Sequence, residues 1–161
     1  MKRSIGALVL LAAVLAAFNL VATAGADSDG ARGGSDRILR SGFVGNLPSD
    51  NIFGVPGAGA AWVLSDGRVD VRRDGRIDLE VEGLVLASNG TVGNNTQVKA
   101  ALFCGGKLVA ETAPTPFSPE GDAEIHETLA AASAADGRCL APTVFVEPVG
   151  GAARFFAVTG A

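Results

Sequence analysis

The residues best suited to chemistry are two carboxylates and a histidine at alternate positions. Asp122, Glu124 and His126 are two residues apart, so on a β-strand they would share one face, with about 7 Å between neighbours. Carboxylate and imidazole groups can ligate a divalent cation or perform acid–base catalysis. Neighbours at that distance converge poorly on one ion, so a partner from an adjacent strand would be required. We favour the alternative of a solvated charged face.

Other catalytic patterns are missing from the sequence. Asp78, Glu80 and Glu82 form a second acidic row, which we also interpret as a solvated strand face. His126 is the only histidine and no G-x-S-x-G pattern occurs, so a Ser-His-Asp triad is not predicted. We therefore predict no enzyme activity, no catalytic residue and no cofactor.

Two further features bear on partner binding. Trp62 is the only tryptophan and the chain has no tyrosine, which is poor material for an aromatic binding face, so Trp62 is assigned to the core. Residues 113–120 contain Pro114, Pro116 and Pro119, and proline cannot donate a ladder hydrogen bond, so an extended loop is predicted. That loop could present Phe117 to a partner, as in an inhibitor or adhesin, but a plain connection is favoured.

Cys104 and Cys139 are the only cysteines. In an exported protein they are expected to form a disulfide, because the extracellular space is oxidising. The closed loop spans some 35 residues, and closing it would contribute about 3–4 kcal/mol in the chain-entropy model. We predict a structural role for this bond.

The rest of the domain is organised around residues 62–86, which predict three antiparallel strands and two tight turns. Pairing Val71 with Ile77 leaves a three-residue loop at 73–75, where Gly75 supplies a left-handed backbone. The same register sets Arg68 opposite Glu80, which is favourable, and Asp70 opposite Asp78, which is not.

The first of these turns depends on Trp62. A two-residue loop at Asp66-Gly67 pairs Leu64 with Val69 and buries Trp62, whereas a three-residue loop would bury Val63 instead. We prefer the two-residue loop because a tryptophan is better placed in the core.

Further strands are predicted around Phe43 and in residues 98–104, 107–112, 121–129, 143–147 and 154–159. Gly105-Gly106 indicates a hairpin turn of the primed type. Glu127 interrupts the alternation of its strand, as a bulge or a strand end, and residues 130–137 could form a helical turn or a loop. Eight or nine short strands predict an all-β fold, an antiparallel two-sheet β-sandwich of the Ig-like or Greek-key kind.

The N-terminus has the pattern of a secretory signal peptide. Lys2 and Arg3 precede an apolar run at residues 5–21, and small residues follow at 22–26. Cleavage after Ala24 or after Ala26 fits equally well, and an uncleaved anchor is the alternative, although the run is short for a span. We predict a secreted protein with a signal peptide at 1–26, a flexible linker at 27–40 and a single domain at 41–161.

The charge balance excludes one class of partner. The chain has 13 Lys and Arg against 17 Asp and Glu, a net charge of −4, and loss of Lys2 and Arg3 would leave −6. A nucleic-acid-binding protein needs a basic face, so no nucleic acid partner is predicted. After signal cleavage no membrane span is expected either.

Two resemblances follow from longer stretches. FVGN at residues 43–46, GAAWVLSDGRVDV, DGRIDLEVEGLVL, ALFCGGKLVAET, SPEGDAEI and CLAP resemble small uncharacterised exported proteins of actinobacteria. That likeness spans most of residues 43–159 and implies no activity. The strand pattern at 60–84 is also similar to part of the CHRD domain, an extracellular β-sandwich, but the A-H-I-H stretch of that motif is missing after Gly83-Leu84. Neither resemblance carries over a site residue.

The sequence thus predicts a secreted, disulfide-bonded binding or structural module whose partner is an extracellular protein or polysaccharide. The first alternative is a cation-dependent module or enzyme that uses Asp122, Glu124 and His126. The second is an inhibitor or adhesin that presents residues 114–119.

Overall fold

The structure is a computed structural model that describes residues 36–129 and 139–160. Within these ranges every helix or strand element is a strand, and no helix is long and apolar enough to cross a membrane. The strands are β1 (Arg37–Gly45), β2 (Asn51–Ile52), β3 (Val55–Pro56), β4 (Trp62–Val63), β5 (Asp66–Arg72), β6 (Arg76–Glu82), β7 (Val85–Leu86), β8 (Gln97–Cys104), β9 (Lys107–Glu111), β10 (Thr115–Pro116), β11 (Ala123–Thr128), β12 (Thr143–Pro148) and β13 (Ala157–Gly160).

One antiparallel sheet of nine strands dominates the described residues. Its order is β10-β8-β12-β13-β1-β5-β6-β11, and β9 also pairs with β8. The sheet curls until its two ends, β10 and β11, come together, and its two halves enclose one apolar core. The predicted all-β sandwich is confirmed, with a single curled sheet supplying both layers.

The hairpin of β5 and β6 has the predicted register. Val71 pairs with Ile77, and Asp70 lies opposite Asp78. Gly75 in the connecting loop has a φ of 87°, a left-handed conformation that glycine adopts without a steric penalty. Alternation of buried and exposed residues along both strands therefore predicted their pairing correctly.

The predicted first turn of this region is wrong. Asp66 and Gly67 do not form a turn, because they continue β5 and pair with Glu82 and Val81 of β6. A Cβ at Gly67 would lie 2.8 Å from a methyl carbon of Leu64 and 3.2 Å from Phe43, so Gly67 occupies a closely packed position within the strand. The edge of β5 that the turn would have paired is occupied by β1 instead.

Trp62 is nevertheless buried, as predicted. It belongs to β4, which pairs with β7 so that Trp62 lies opposite Leu86. Its side chain is 4% exposed, while that of Val63 is 48% exposed. The prediction that Trp62 rather than Val63 is buried was therefore correct. The predicted pairing of its strand with β5 was wrong, because Trp62 pairs with β7.

A second apolar cluster covers the outer face of β8 and β12. It comprises Ala101, Phe103, Phe145, Phe155 and Val158, and the short β2–β3 hairpin packs on it through Ile52 and Val55. Both faces of these central strands are therefore buried. Phe103 lies on the same side of β8 as Lys99, and it is buried because the hairpin shields this end of the strand from water.

The disulfide between Cys104 and Cys139 is present. It joins the end of β8 to the residues before β12, with 4.9 Å between the two Cα atoms. The adjacent Gly105 N–H donates to the carbonyl of Leu140. Gly105 and Gly106 both have positive φ, 58° and 77°, as the predicted primed turn requires.

Strand β1 begins at Arg37, so the last four residues assigned to the linker, 37–40, lie within the sheet and beside β5. The predicted signal peptide at 1–26 and the first part of that linker lie outside the described residues, as do residues 130–137, for which a helical turn or loop was predicted.

Candidate functional site

Strand β11 turns charged side chains outward because Ala123 and Ile125 take the buried positions. Its pairing with β6 places Asp78 opposite His126. Nδ1 of His126 lies 2.9 Å from Asp78 Oδ1, and Nε2 lies 2.7 Å from Glu124 Oε1. Hydrogen bonding to Asp78, and next to Glu124, raises the pKa of His126 above its ordinary value of 6.5. Only the protonated ring can donate to both carboxylates.

Asp122 does not join this cluster. It precedes β11, and its Oδ1 accepts a hydrogen bond from the backbone N–H of Gly83 at 2.9 Å. Of the three residues singled out in the sequence, the structure brings together Glu124 and His126, with Asp78 as the partner from the adjacent strand. No set of three or more His, Cys, Asp or Glu side chains in residues 36–129 and 139–160 is arranged to hold a metal ion.

The neighbouring carboxylates on this side of the sheet are also paired. Arg68 forms an ion pair with Glu80, and Arg37 bonds Asp70 at 2.6 Å. The unfavourable juxtaposition of Asp70 and Asp78 is therefore relieved by arginine on one side and His126 on the other. We call this outer surface of β5, β6 and β11 the charged face; its members are Arg68, Asp70, Asp78, Glu80, Glu124 and His126.

The aromatic residues considered for binding are buried. Trp62 stacks on Phe156 with 3.9 Å between ring centroids, and Phe117 lies 6.4 Å from Trp62. Phe117 is only 5% exposed. The proline-rich segment therefore turns its aromatic side chain into the core, and Phe117 is not displayed to a partner.

The sheet stays open between its terminal strands, β10 and β11. In the turn between them, Ser118 N–H donates to the carbonyl of Asp122 at 3.0 Å. Continued along both strands, this register places Pro116 opposite Glu124 and Pro114 opposite His126. Proline has no N–H, and no backbone hydrogen bond joins these pairs of described residues.

The backbone of β11 is consequently unpaired on one side. Leu129 N–H donates to the carbonyl of Gly75, and in an antiparallel pair the bonded residues alternate. Ile125 and Glu127 therefore bond to β6, whereas Glu124 and His126 direct their backbone groups at β10. We call this gap between residues 113–118 and 122–127 the seam.

A side chain bridges the far end of the seam. The carboxylate of Glu127 accepts a hydrogen bond from the backbone N–H of Ala113, with both oxygens at 3.1 Å. Glu127 thus interrupts the apolar alternation for this contact. Its pairing with Ile77 is regular, so the bulge considered from the sequence is absent from β11.

A groove of about 810 Å³ lies along the seam. Its floor includes the buried side chains of Val81, Phe117 and Ala123. All charged residues that line it are acidic: Glu80, Glu82, Glu120, Asp122 and Glu124. Glu82 and Glu120 are exposed and make no ion pair with any residue of the described ranges. We call this the seam groove.

The seam groove was not predicted from the sequence. The prolines at 114 and 116 predicted an extended loop without ladder hydrogen bonds. That prediction is wrong on one side, because Thr115 and Pro116 form β10 and pair with β8, and it holds only on the side that faces β11. The two prolines are two residues apart, as are the residues of a strand that direct their backbone groups to the same side. The sequence did not show which strand lies beside the prolines. That strand is β11, because its pairing with β6 leaves its other edge facing them.

A second group missed by the sequence is the buried carboxylate of Glu147 on β12. Its side chain is 5% exposed and lies 3.6 Å from Nζ of Lys99, which also contacts Glu111 at 2.6 Å. Burial raises the pKa of Glu147, and the charge of Lys99 opposes that shift. Lys99 thus neutralises a carboxylate that the sheet removes from water.

Comparisons with protein-family models, with curated proteins and with solved structures found no match for this chain. The resemblances to small exported actinobacterial proteins and to the CHRD strand pattern therefore remain predictions. Function has to be inferred from the geometry of the described residues.

Proposed function

We propose that the chain is an exported, non-catalytic binding module that holds a cationic, extended segment of an extracellular polypeptide in the seam groove. Export rests on the pattern of residues 1–26. The observation that carries the binding proposal is the seam, where a strand edge without hydrogen-bond partners lies beside a groove with only acidic charges.

The chemistry of the groove favours lysine or arginine side chains. Their aliphatic stems can lie on the apolar floor while the charged heads reach the carboxylates of the rim. Glu82 and Glu120 are available for this, because neither has a cationic partner among the described residues. A polypeptide is favoured over a polysaccharide because lysine and arginine side chains supply the fixed cations that a row of carboxylates recognises.

The proposal assigns no catalysis to His126. Both of its ring nitrogens are engaged by carboxylates at hydrogen-bond distance. A general base needs a free ring nitrogen within reach of a substrate proton. The ion-paired arrangement supports a binding role over an acid–base role.

The proposal is tested with Nα-acetylated octalysine as the probe. Titration of the exported protein, followed by calorimetry and by amide NMR shifts, should give saturable binding with the largest shifts at residues of β11 and the 118–122 turn. Binding should weaken when salt is raised, since exposed charges are screened. An octaglutamate of the same length should not bind.

A matched pair of variants locates the site. Glu82→Gln with Glu120→Gln removes two rim charges that make no hydrogen bond in the structure, and should weaken octalysine binding about threefold or more. Asp36→Asn with Asp74→Asn makes the same charge change at the other end of the β5–β6 hairpin and should leave binding unchanged. Equal loss in both pairs, or no octalysine binding at all, would refute the proposal. If a chitosan oligosaccharide binds and octalysine does not, the groove is assigned to a polysaccharide instead.

A further inference from the structure

His126 lies where the charged face meets the seam groove. The carboxylate of Glu124 belongs to both surfaces, because it lines the groove and bonds Nε2 of His126 at 2.7 Å. The protonated imidazole is therefore a cation already held at one edge of the proposed binding site. A cationic side chain of the partner that approaches Glu124 therefore competes with protonated His126 for the same carboxylate.

We propose that binding of the cationic segment in the seam groove is coupled to loss of the proton from His126, so that the partner is held more tightly at higher pH and released as the solution is acidified. This inference rests on the proposed function. It adds the way in which that binding is regulated.

The coupling follows from the donor count of the ring. Protonated His126 has two N–H groups and can donate to Asp78 and Glu124 together. After the proton leaves to solvent, one N–H remains and the ring is neutral, so both carboxylates lose their counter-ion and one of them loses its donor. Glu124, the one of the two that lines the seam groove, can then accept an ammonium or guanidinium group from the partner.

The surroundings leave His126 as the group that titrates in this region. The charged groups around it are Arg76, Asp78 and Glu80 on β6, Glu124 and Glu127 on β11, Arg68, Asp70 and Arg72 on β5, and Arg37 and Arg40 on β1. Asp70 and Glu80 are already neutralised by arginines. The charge that changes near neutral pH is therefore the one shared with Asp78 and Glu124.

The test measures the affinity of Nα-acetylated octalysine at about pH 5.5 and about pH 8.5, where the lysine side chains and the carboxylates keep their charges and histidine does not. The exported protein should bind octalysine about threefold or more tightly at the higher pH. The His126→Gln variant, which keeps a donor and an acceptor but cannot be protonated, should bind equally at both. A pH dependence that persists in this variant would overturn the inference.

A second measurement needs no variant. His126 is the only histidine, so its ring proton resonances are unambiguous in NMR. Coupling is reciprocal, and saturation with octalysine must lower the pKa of His126 relative to the free protein. An unchanged His126 pKa with octalysine bound would contradict the inference while leaving the proposed function intact. Failure of octalysine to bind at either pH would contradict both.

Discussion

The charged face and the seam groove both carry rows of carboxylates, share Glu80 and Glu124, and differ in whether cationic side chains accompany those carboxylates. On the charged face each carboxylate is matched by an arginine or by His126, as in the bonds from Arg37 to Asp70 and from His126 to Asp78. In the seam groove Glu82 and Glu120 have no such match among the described residues. Residue type alone therefore does not distinguish a structural surface from a binding surface. The availability of a neighbouring cation does.

The largest expected effect concerns the floor that the groove shares with the core. Phe117→Ala should lower the free energy of unfolding by about 3–5 kcal/mol, because it leaves a cavity beside Trp62. Thermal or urea unfolding measures this loss. Leu140→Ala, at a side chain that is 75% exposed, should change stability little. If Phe117→Ala were as stable as the parent protein while partner binding was lost, Phe117 would be a displayed contact and its burial would be wrong.

The next effect separates a buried carboxylate from an exposed one. Lys99→Met leaves Glu147 buried without its cation and should destabilise the fold by about 1–3 kcal/mol. Arg68→Met removes the cation from Glu80 on the charged face, where water replaces it, and should change stability by less than about 1 kcal/mol. Urea unfolding of both variants decides this comparison. If both variants lost the same stability, burial of the carboxylate would not determine how strongly the fold depends on its cationic partner.

The smallest expected effect is the pH dependence of stability from His126. Its pKa is raised in the folded state, so its contribution is fully present below the unfolded value of about 6.5 and is lost as pH rises through the folded value. Melting temperatures of the parent protein and of His126→Gln, compared across this range, measure it. The parent should gain stability relative to the variant on acidification to about pH 5.5. A gain on the alkaline side would have the wrong sign.

Local patterns in the sequence predicted much of this fold. Alternation along β6 and β11 identified the buried residues, and the loop at 73–75 determined which residues of β5 and β6 pair. The disulfide between Cys104 and Cys139 and the turn at Gly105-Gly106 were also predicted correctly. Each of these features depends on residues that are close in the chain or, for the disulfide, on one contact between distant residues. The sequence therefore contains most of the information needed to predict them.

The errors share a different origin. Asp66-Gly67 has the composition of a tight turn, but the edge of β5 that such a turn would pair is occupied by β1, which is distant in the chain. Alternation along β8 does not reveal that Phe103 is buried, because the hairpin that covers it comes from residues 51–56. The seam groove likewise depends on which strands end the sheet. Contacts between distant segments decide all three, and spacing along the chain does not report them.

Prolines leave one edge of β11 unpaired, and amide hydrogen exchange of the protein would show this residue by residue. We expect slow exchange at Ile125 and Glu127, whose N–H groups bond to β6, and fast exchange at Glu124 and His126, whose N–H groups face Pro116 and Pro114. Equal protection at all four amides would mean that β11 is paired on both sides, and the seam proposed as the binding site would not exist.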